Sequence, residues 1–403
     1  MKRILTIFLS LMMLPFCVCS YALAGDMTKE ELIKELKIMK ERIRLLEQRI
    51  QQLEGPVGKS VEPTKDLAER VQEIERKIKQ GAIPAEWVKR LNFSGTIEVE
   101  ANYEKMDYDD PGTKDTESGD IVLATAELDV DADIAKHVQG HIAFLWEEDE
   151  TEPVDIDEGF ITIDMGNILP LYVAGGKMYV PFGYYESHFI SDPITNTIGE
   201  TNQSAIKLGF SNDWIEICGA FFNGDVDETG DDDQIDGFAG SIKWSAPEGM
   251  FPDLGIVAGL SYISNIGDSD GLEEELPSSI RRHVEGLGAF LSLSLKEKYF
   301  VEMEYIGAMD KFGAGELSFD GGKRAKPQAW NVEFAFAPIK KLELALRYEG
   351  SNDLGDYEPE LQCGLAIIYS LFENTSLSVE YLHGKFENDD KRDLVTGQLA
   401  VEF

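Results

Sequence analysis

From Leu91 onward, apolar and polar residues alternate. Leu91, Phe93, Gly95, Ile97, Val99, Ala101 and Tyr103 share one parity, and Asn92, Ser94, Thr96, Glu98, Glu100, Asn102 and Glu104 take the other. A period of two marks a strand with one greasy and one wet face. Sixteen such segments follow one another, starting near Leu91, Ile121, Val138, Ile156, Leu171, Ala205, Trp214, Phe238, Leu254, Glu285, Phe300, Trp330, Leu342, Gln362, Leu377 and Leu394. Before Trp87 the period is different. Leu32, Leu36, Met39, Ile43, Leu46, Ile50 and Leu53 recur at alternating spacings of four and three among Lys, Glu, Arg and Gln, the signature of a coiled-coil core. Gly55-Pro56 stops that helix, and Leu67, Val71, Ile74 and Ile78 mark a shorter second one. A lone amphipathic helix folding back on its neighbour would show the same stripe.

The connections between the alternating segments also alternate. Those after odd-numbered segments are mostly long (108–119, 184–203, 264–283, 310–326), and those after even-numbered ones mostly short (211–213, 296–298, 338–340). Sandwiches and propellers give no reason for this, whereas outer-membrane barrels combine tight periplasmic turns with extended external loops. The predicted fold class is an all-β membrane protein. It is a 16-stranded antiparallel transmembrane β-barrel over 91–403, with both ends in the periplasm, preceded by an α-helical coiled-coil segment. The final segment places Val395, Gly397, Leu399, Val401 and Phe403 on one face, and it resembles the signal read by the outer-membrane assembly machinery.

Residues 1–24 read as a signal peptide: Lys2 and Arg3, an apolar run, then Ala22-Leu23-Ala24. A lipoprotein signal needs a small residue before its cysteine, but Cys17 follows Phe16 and Cys19 follows Val18. The expected organisation is signal peptide 1–24, periplasmic coiled-coil helix 25–55, linker and second short helix 56–90, and barrel 91–403. The protein is expected in the outer membrane of a Gram-negative-type cell, a homo-oligomer through its stalk. Cys218 and Cys363 are expected to be free thiols, because they fall on distant segments.

Charge then narrows the partners. The 403 residues carry 75 Asp plus Glu against 37 Lys plus Arg, a formal charge of -38, which excludes nucleic acid as a partner and makes cations the natural companions. Outer-membrane lipids and a small solute are the remaining partners. The acids concentrate in the long connections, so the external end of the cylinder is the negative one. With apolar side chains toward lipid, the other parity lines a lumen wide enough for water. Lys177, Lys207, Lys243 and Arg347 read as an inward basic stripe. Glu98, Glu100, Asp129, Asp131, Glu302, Glu304, Glu333, Glu343 and Glu380 read as an acidic arc facing it. The two would set a transverse field that favours cations, or would simply solvate the wall. The connection holding Tyr184, Tyr185, Phe189 and Ile190 is less acidic than its neighbours, and reads either as a constriction folded into the pore or as an ordinary external loop.

Asp225, Asp227, Thr229, Asp231, Asp233 and Asp236, with Gly230 at the sixth position, approximate a calcium loop, although its last position is Asp rather than Glu. No other cofactor is expected. The histidines are scattered and join no HExxH or GxSxG motif, so no enzymatic activity is expected.

SGTIEVEANYE (94–104), DIVLATAELDVDA (120–132), LWEEDETEPVDIDEGFITI (145–163), GGKMYVPFGYYESHFISDPIT (175–195) and FFNGDVDE (221–228) resemble the siderophore porin family of the legiobactin-uptake type (LbtU-like). The resemblance covers 91–403, more loosely the stalk. It implies a plugless barrel that passes iron-siderophore complexes or similar small solutes without an energised receptor. Residues 25–90 read as helices and leave no room for a globular plug. A general or cation-preferring porin is the alternative, and a structural tether gripping partners through the coiled coil is another.

Overall fold

The sixteen alternating segments form sixteen strands, because only a closed sheet satisfies every backbone group while turning an apolar face to lipid. The computed structural model describes residues 89–148, 154–166, 169–230, 234–247 and 249–403. The signal peptide, coiled coil and second helix read from the sequence lie outside the described residues. The first half of the barrel comprises β1 (Leu91–Asp107), β2 (Thr116–Ala135), β3 (Val138–Trp146), β4 (Asp155–Asp164), β5 (Leu171–Tyr179), β6 (Asn202–Ser211), β7 (Ile215–Phe222) and β8 (Gly237–Ser245). The second comprises β9 (Leu254–Ile263), β10 (Gly286–Leu295), β11 (Tyr299–Ala308), β12 (Gln328–Ile339), β13 (Leu342–Asn352), β14 (Leu361–Phe372), β15 (Thr375–Lys385) and β16 (Lys391–Glu402). Each strand pairs antiparallel with the next, and β1 closes on β16 with Ile97 opposite Val401 and Tyr103 opposite Val395.

The outer surface is what the parity requires. Ile97, Ile121, Ile206, Leu208, Leu346 and Val379 are exposed large apolar residues, while Ala205, Ala220, Ala345 and Ala366 on the opposite parity are buried. Outward rings gather near both rims. Tyr305, Trp330 and Tyr348 lie toward the long-loop end, and Tyr299 stacks on Phe336 at 5.0 Å toward the short-turn end, as interfacial belts require. Leu346 lies midway along β13 and is 58% exposed. Leu346→Arg is expected to cost about 2–4 kcal/mol of folding free energy into liposomes, and Leu377→Arg, near the short-turn rim, about 0–1 kcal/mol. Equal costs at both depths would contradict this placement in the bilayer.

The half of the lumen beneath the long loops is not an open tube. Met178, Phe222, Ile263, Ile306 and Ala329 point inward from the wall and pack against Phe182, Ile194 and Ile198 of loop 180–201. Val226, Ile266, Leu272, Ile280, Phe312, Leu317 and Leu354 of four further loops complete this apolar core. Asp227–Glu228 and Ser279–Ile280 form a short parallel pair that ties two of the loops together. Asp268 accepts the Val226 N–H at 3.1 Å inside the same assembly, and burial pushes its carboxyl up to about 7. Cys218 on β7 and Cys363 on β14 are both free thiols.

Candidate functional site

Loop 180–201 leaves β5 and reaches β11, β12, β13 and β15, the strands on the far side of the ring. We call it the strap. Its backbone is mostly irregular, so its N–H groups have no sheet ladder to satisfy them, and at membrane depth such groups need partners within the protein. Wall carboxylates supply these partners. Glu304 accepts from Tyr184 N at 2.6 Å and Tyr185 N at 3.0 Å. Glu333 accepts from His188 N at 2.7 Å and Ser187 Oγ at 3.0 Å. Glu380 accepts from Ile190 N at 2.8 Å, Ser191 N at 3.0 Å and the Ser191 hydroxyl, and Glu349 accepts from Ile194 N at 2.8 Å.

Arg347 knits the strap to the same wall. Its Nε donates to Glu333 at 2.8 Å, and its terminal nitrogens donate to Ser191 O at 2.7 Å and Asp192 O at 3.1 Å. Glu349 lies 3.6 Å away, and all three charged side chains are fully buried. The guanidinium also covers the Phe189 ring at 4.3 Å. Phe189 itself fills a recess whose floor is Ala335, Ala345 and Ala366, with Leu382 beside it. A Cβ at Gly364 would stand 2.9 Å from the Phe189 ring, so small inward residues on three adjacent strands create the space. Tyr184 stacks on Phe290 of β10 at 4.2 Å. Gly183, at φ +79, makes the turn into the strap, and a Cβ there would collide with the Tyr185 ring.

The nine acids of the arc all lie on inward parity, paired across strands with one another or with inward residues: Glu98 with Thr125, Asp129 with Ala143, Asp131 with His141, Glu302 with Glu333, Glu380 with Ala366. Glu304, Glu333 and Glu380 hold the strap. Glu302 accepts from Ser292 Oγ at 3.0 Å, Glu343 meets His188 Nδ1 at 2.7 Å, and Glu100 accepts from Gln398 at 3.1 Å. The basic stripe does not assemble as read from the sequence. Lys207 and Lys243 point inward, the latter 2.7 Å from Glu216. Arg347 stands apart from them, among the carboxylates of β12 and β13.

Lys177 is a correction. It shares a face with Val173 and Gly175, which pair with the exposed Ile163 and Ile161, so it lies on the outer surface and bonds Ile156 O at 2.9 Å. The parity of β5 is ambiguous because its inner face also carries apolar residues. Ala174 and Met178 meet the loop core rather than water.

The calcium-loop residues do not converge where they are described. Asp227 sits in the parallel pair, Thr229 Oγ1 donates to Ile280 O at 2.9 Å, Asp225 accepts from Gln203, and Asp236 lies 4.0 Å from His283. Asp231 and Asp233 lie outside the described residues. Among the described residues no group of His, Cys, Asp or Glu could hold a metal ion. Sequence reading missed Glu349, which shares its parity with Glu343 and Arg347, and it missed the alanine recess, visible as small residues at inward positions of β12 to β14.

No protein-family model matches the chain. It is 25% identical over 326 residues to a UPF0422 protein of Coxiella burnetii, covering 77% of this chain and 68% of that one. It is 23% identical over 321 residues to a UPF0422 protein of Legionella pneumophila (strain Lens), covering 73% of this chain and 58% of that one. Among solved structures it is similar to an anion-selective porin from Comamonas acidovorans, at TM-score 0.53 and 12% identity over 78% of this chain and 99% of that one. That likeness concerns the fold alone, and the selectivity belongs to that protein. The chain is thus similar over about three quarters of its length to UPF0422 proteins, and it is built as a sixteen-stranded, porin-like barrel.

Proposed function

We propose that this protein is a passive outer-membrane channel, narrowed by the strap, through which small solutes cross without an energised receptor, iron-siderophore complexes among them. The observation that carries the reading is the strap's course: it spans the lumen from β5 to β11–β15 and is fixed there by side chains of the wall. A purely structural barrel has no use for such a device, whereas a channel needs a defined narrowest section. The siderophore class rests on the resemblance of segments 94–104, 120–132 and 175–195 to siderophore porins.

Proteoliposomes holding the purified chain should swell in small sugars with a sharp size limit, and should accumulate ferric siderophore complexes without an energy source. Swelling without passage of any ferric complex would leave a general porin. A coiled-coil stalk over 25–55 that joins copies of the chain in the periplasm completes the proposal. The mass of the detergent-solubilised protein should then fall to that of one subunit when residues 27–79 are removed.

A further inference from the structure

Toward the long loops, the lipid-facing surface of the barrel ends in a row that is not apolar. Cys363 on β14 lies directly opposite His383 on β15, and His383 lies directly opposite Asp393 on β16. All three share the outward parity of Tyr348, Leu365, Tyr381 and Val395. Their places in the chain form no motif, and only the registers of the two strand pairs align them. We propose that this row is an acyl-transfer site, in which the Cys363 thiol takes an ester-linked acyl chain from a membrane lipid, with His383 as its base and Asp393 positioning the ring. The activity is additional to the channel and does not rest on it.

The order of the three groups carries the assignment. His383 Nδ1 lies 2.7 Å from Asp393 Oδ1, which orients the imidazole and leaves Nε2 to act on a proton. Tyr381 donates its hydroxyl to the same carboxylate oxygen at 2.6 Å and so holds the carboxylate in turn. Directly opposed residues have their Cβ atoms about 4.5–5.5 Å apart, so rotation about χ1 brings the thiol within reach of the imidazole. Such contacts often close only when substrate is bound. Cys363 is exposed, whereas the other free thiol, Cys218, has inward parity and lies 3.3 Å from Ser241 Oγ.

The surroundings identify the substrate. Directly below the row, toward the short turns, Leu365, Tyr381, Val395 and Tyr103 cover β14, β15, β16 and β1, and Ile367 and Val379 continue the apolar band. One step above the row, Lys385 and Lys391 stand opposite each other, both exposed. A thiol between an aromatic-bearing apolar band and two ammonium groups sits where a lipid's ester carbonyls lie, between its acyl chains and its phosphate. In the first step the thiol proton passes to His383 Nε2 and sulfur bonds to the ester carbonyl carbon. The carbon–oxygen bond then breaks, and the departing lipid alcohol takes the proton from His383. Water attacks the resulting thioester, His383 accepts its proton and returns it to sulfur, and a fatty acid leaves.

The test uses the full chain, with its cysteines reduced, in phosphatidylethanolamine vesicles whose palmitoyl ester is radiolabelled. Label on the protein that neutral hydroxylamine removes, together with released palmitate, is the expected result. Cys363→Ala should abolish both, and Cys218→Ala neither. His383→Ala should slow palmitate release at least about a hundredfold. Asp393→Asn should lower kcat with KM unchanged, and Asp393→Glu should recover part of the loss, because the carboxylate acts on the ring and not on lipid binding. The mobility of unheated samples in electrophoresis separates lost chemistry from a lost barrel. A native chain that neither takes label nor releases palmitate, or a Cys363→Ala chain that does either at the native rate, would overturn the assignment.

Discussion

Replacing residues 184–200 by a short glycine-serine link should raise single-channel conductance about threefold or more, since a span fixed across the bore sets the narrowest section. The same change should strengthen cation preference. Glu304, Glu333 and Glu380 would lose the N–H and hydroxyl groups that now occupy them and would become lumen charges. Both readouts come from one bilayer experiment, and they separate two roles. If conductance stayed the same, the strap would be a brace lying beside the path and some other section would limit flow. If conductance rose but ion preference did not, the carboxylates would be held neutral and contribute no field.

The second large effect concerns Arg347. Its side chain is fully buried with Glu333 at 2.8 Å and Glu349 at 3.6 Å, and it donates to two strap carbonyls. Arg347→Ala would strand two carboxylates without a counter-charge, and loss of one member of a buried ionic group costs about 3–5 kcal/mol. Urea unfolding in detergent should show that loss as a lower midpoint with little change in slope. Arg347→Lys should recover only part of it, because a single ammonium cannot fork between a carboxylate and two carbonyl oxygens. Arg347→Met combined with Glu333→Gln should recover more than either change alone, since it removes charge from both sides. A cost under about 1 kcal/mol for Arg347→Ala would place the guanidinium in water instead.

The barrel was legible because lipid imposes one rule on every strand. The alternation from Leu91 to Tyr103 is the clearest case, and the long and short connections then order the strands around the ring. Legibility fails where that rule is suspended. On β5 the inner face meets an apolar core, so Ala174 and Met178 look like lipid-facing residues and Lys177 like a lumen residue. The acids of β11, β12 and β15 have the parity of pore charges, and parity cannot distinguish a carboxylate facing water from one accepting a backbone N–H. The partners of Glu304 and Glu380 lie more than a hundred residues earlier in the chain, at Tyr184 and Ile190. Nothing local marks them. Inward Ala335, Ala345, Gly364 and Ala366 did carry a signal, since four small residues at neighbouring positions announce that something bulky must sit above them.

The strap also constrains the order in which this molecule is made. It is synthesised before every strand that holds it, and its bare amides could not be drawn through hydrocarbon afterwards. The span is therefore made first, and its acceptors on β11 to β15 come after it. The seam between the first and last strands, also the last part to be made, closes the ring around a segment already synthesised.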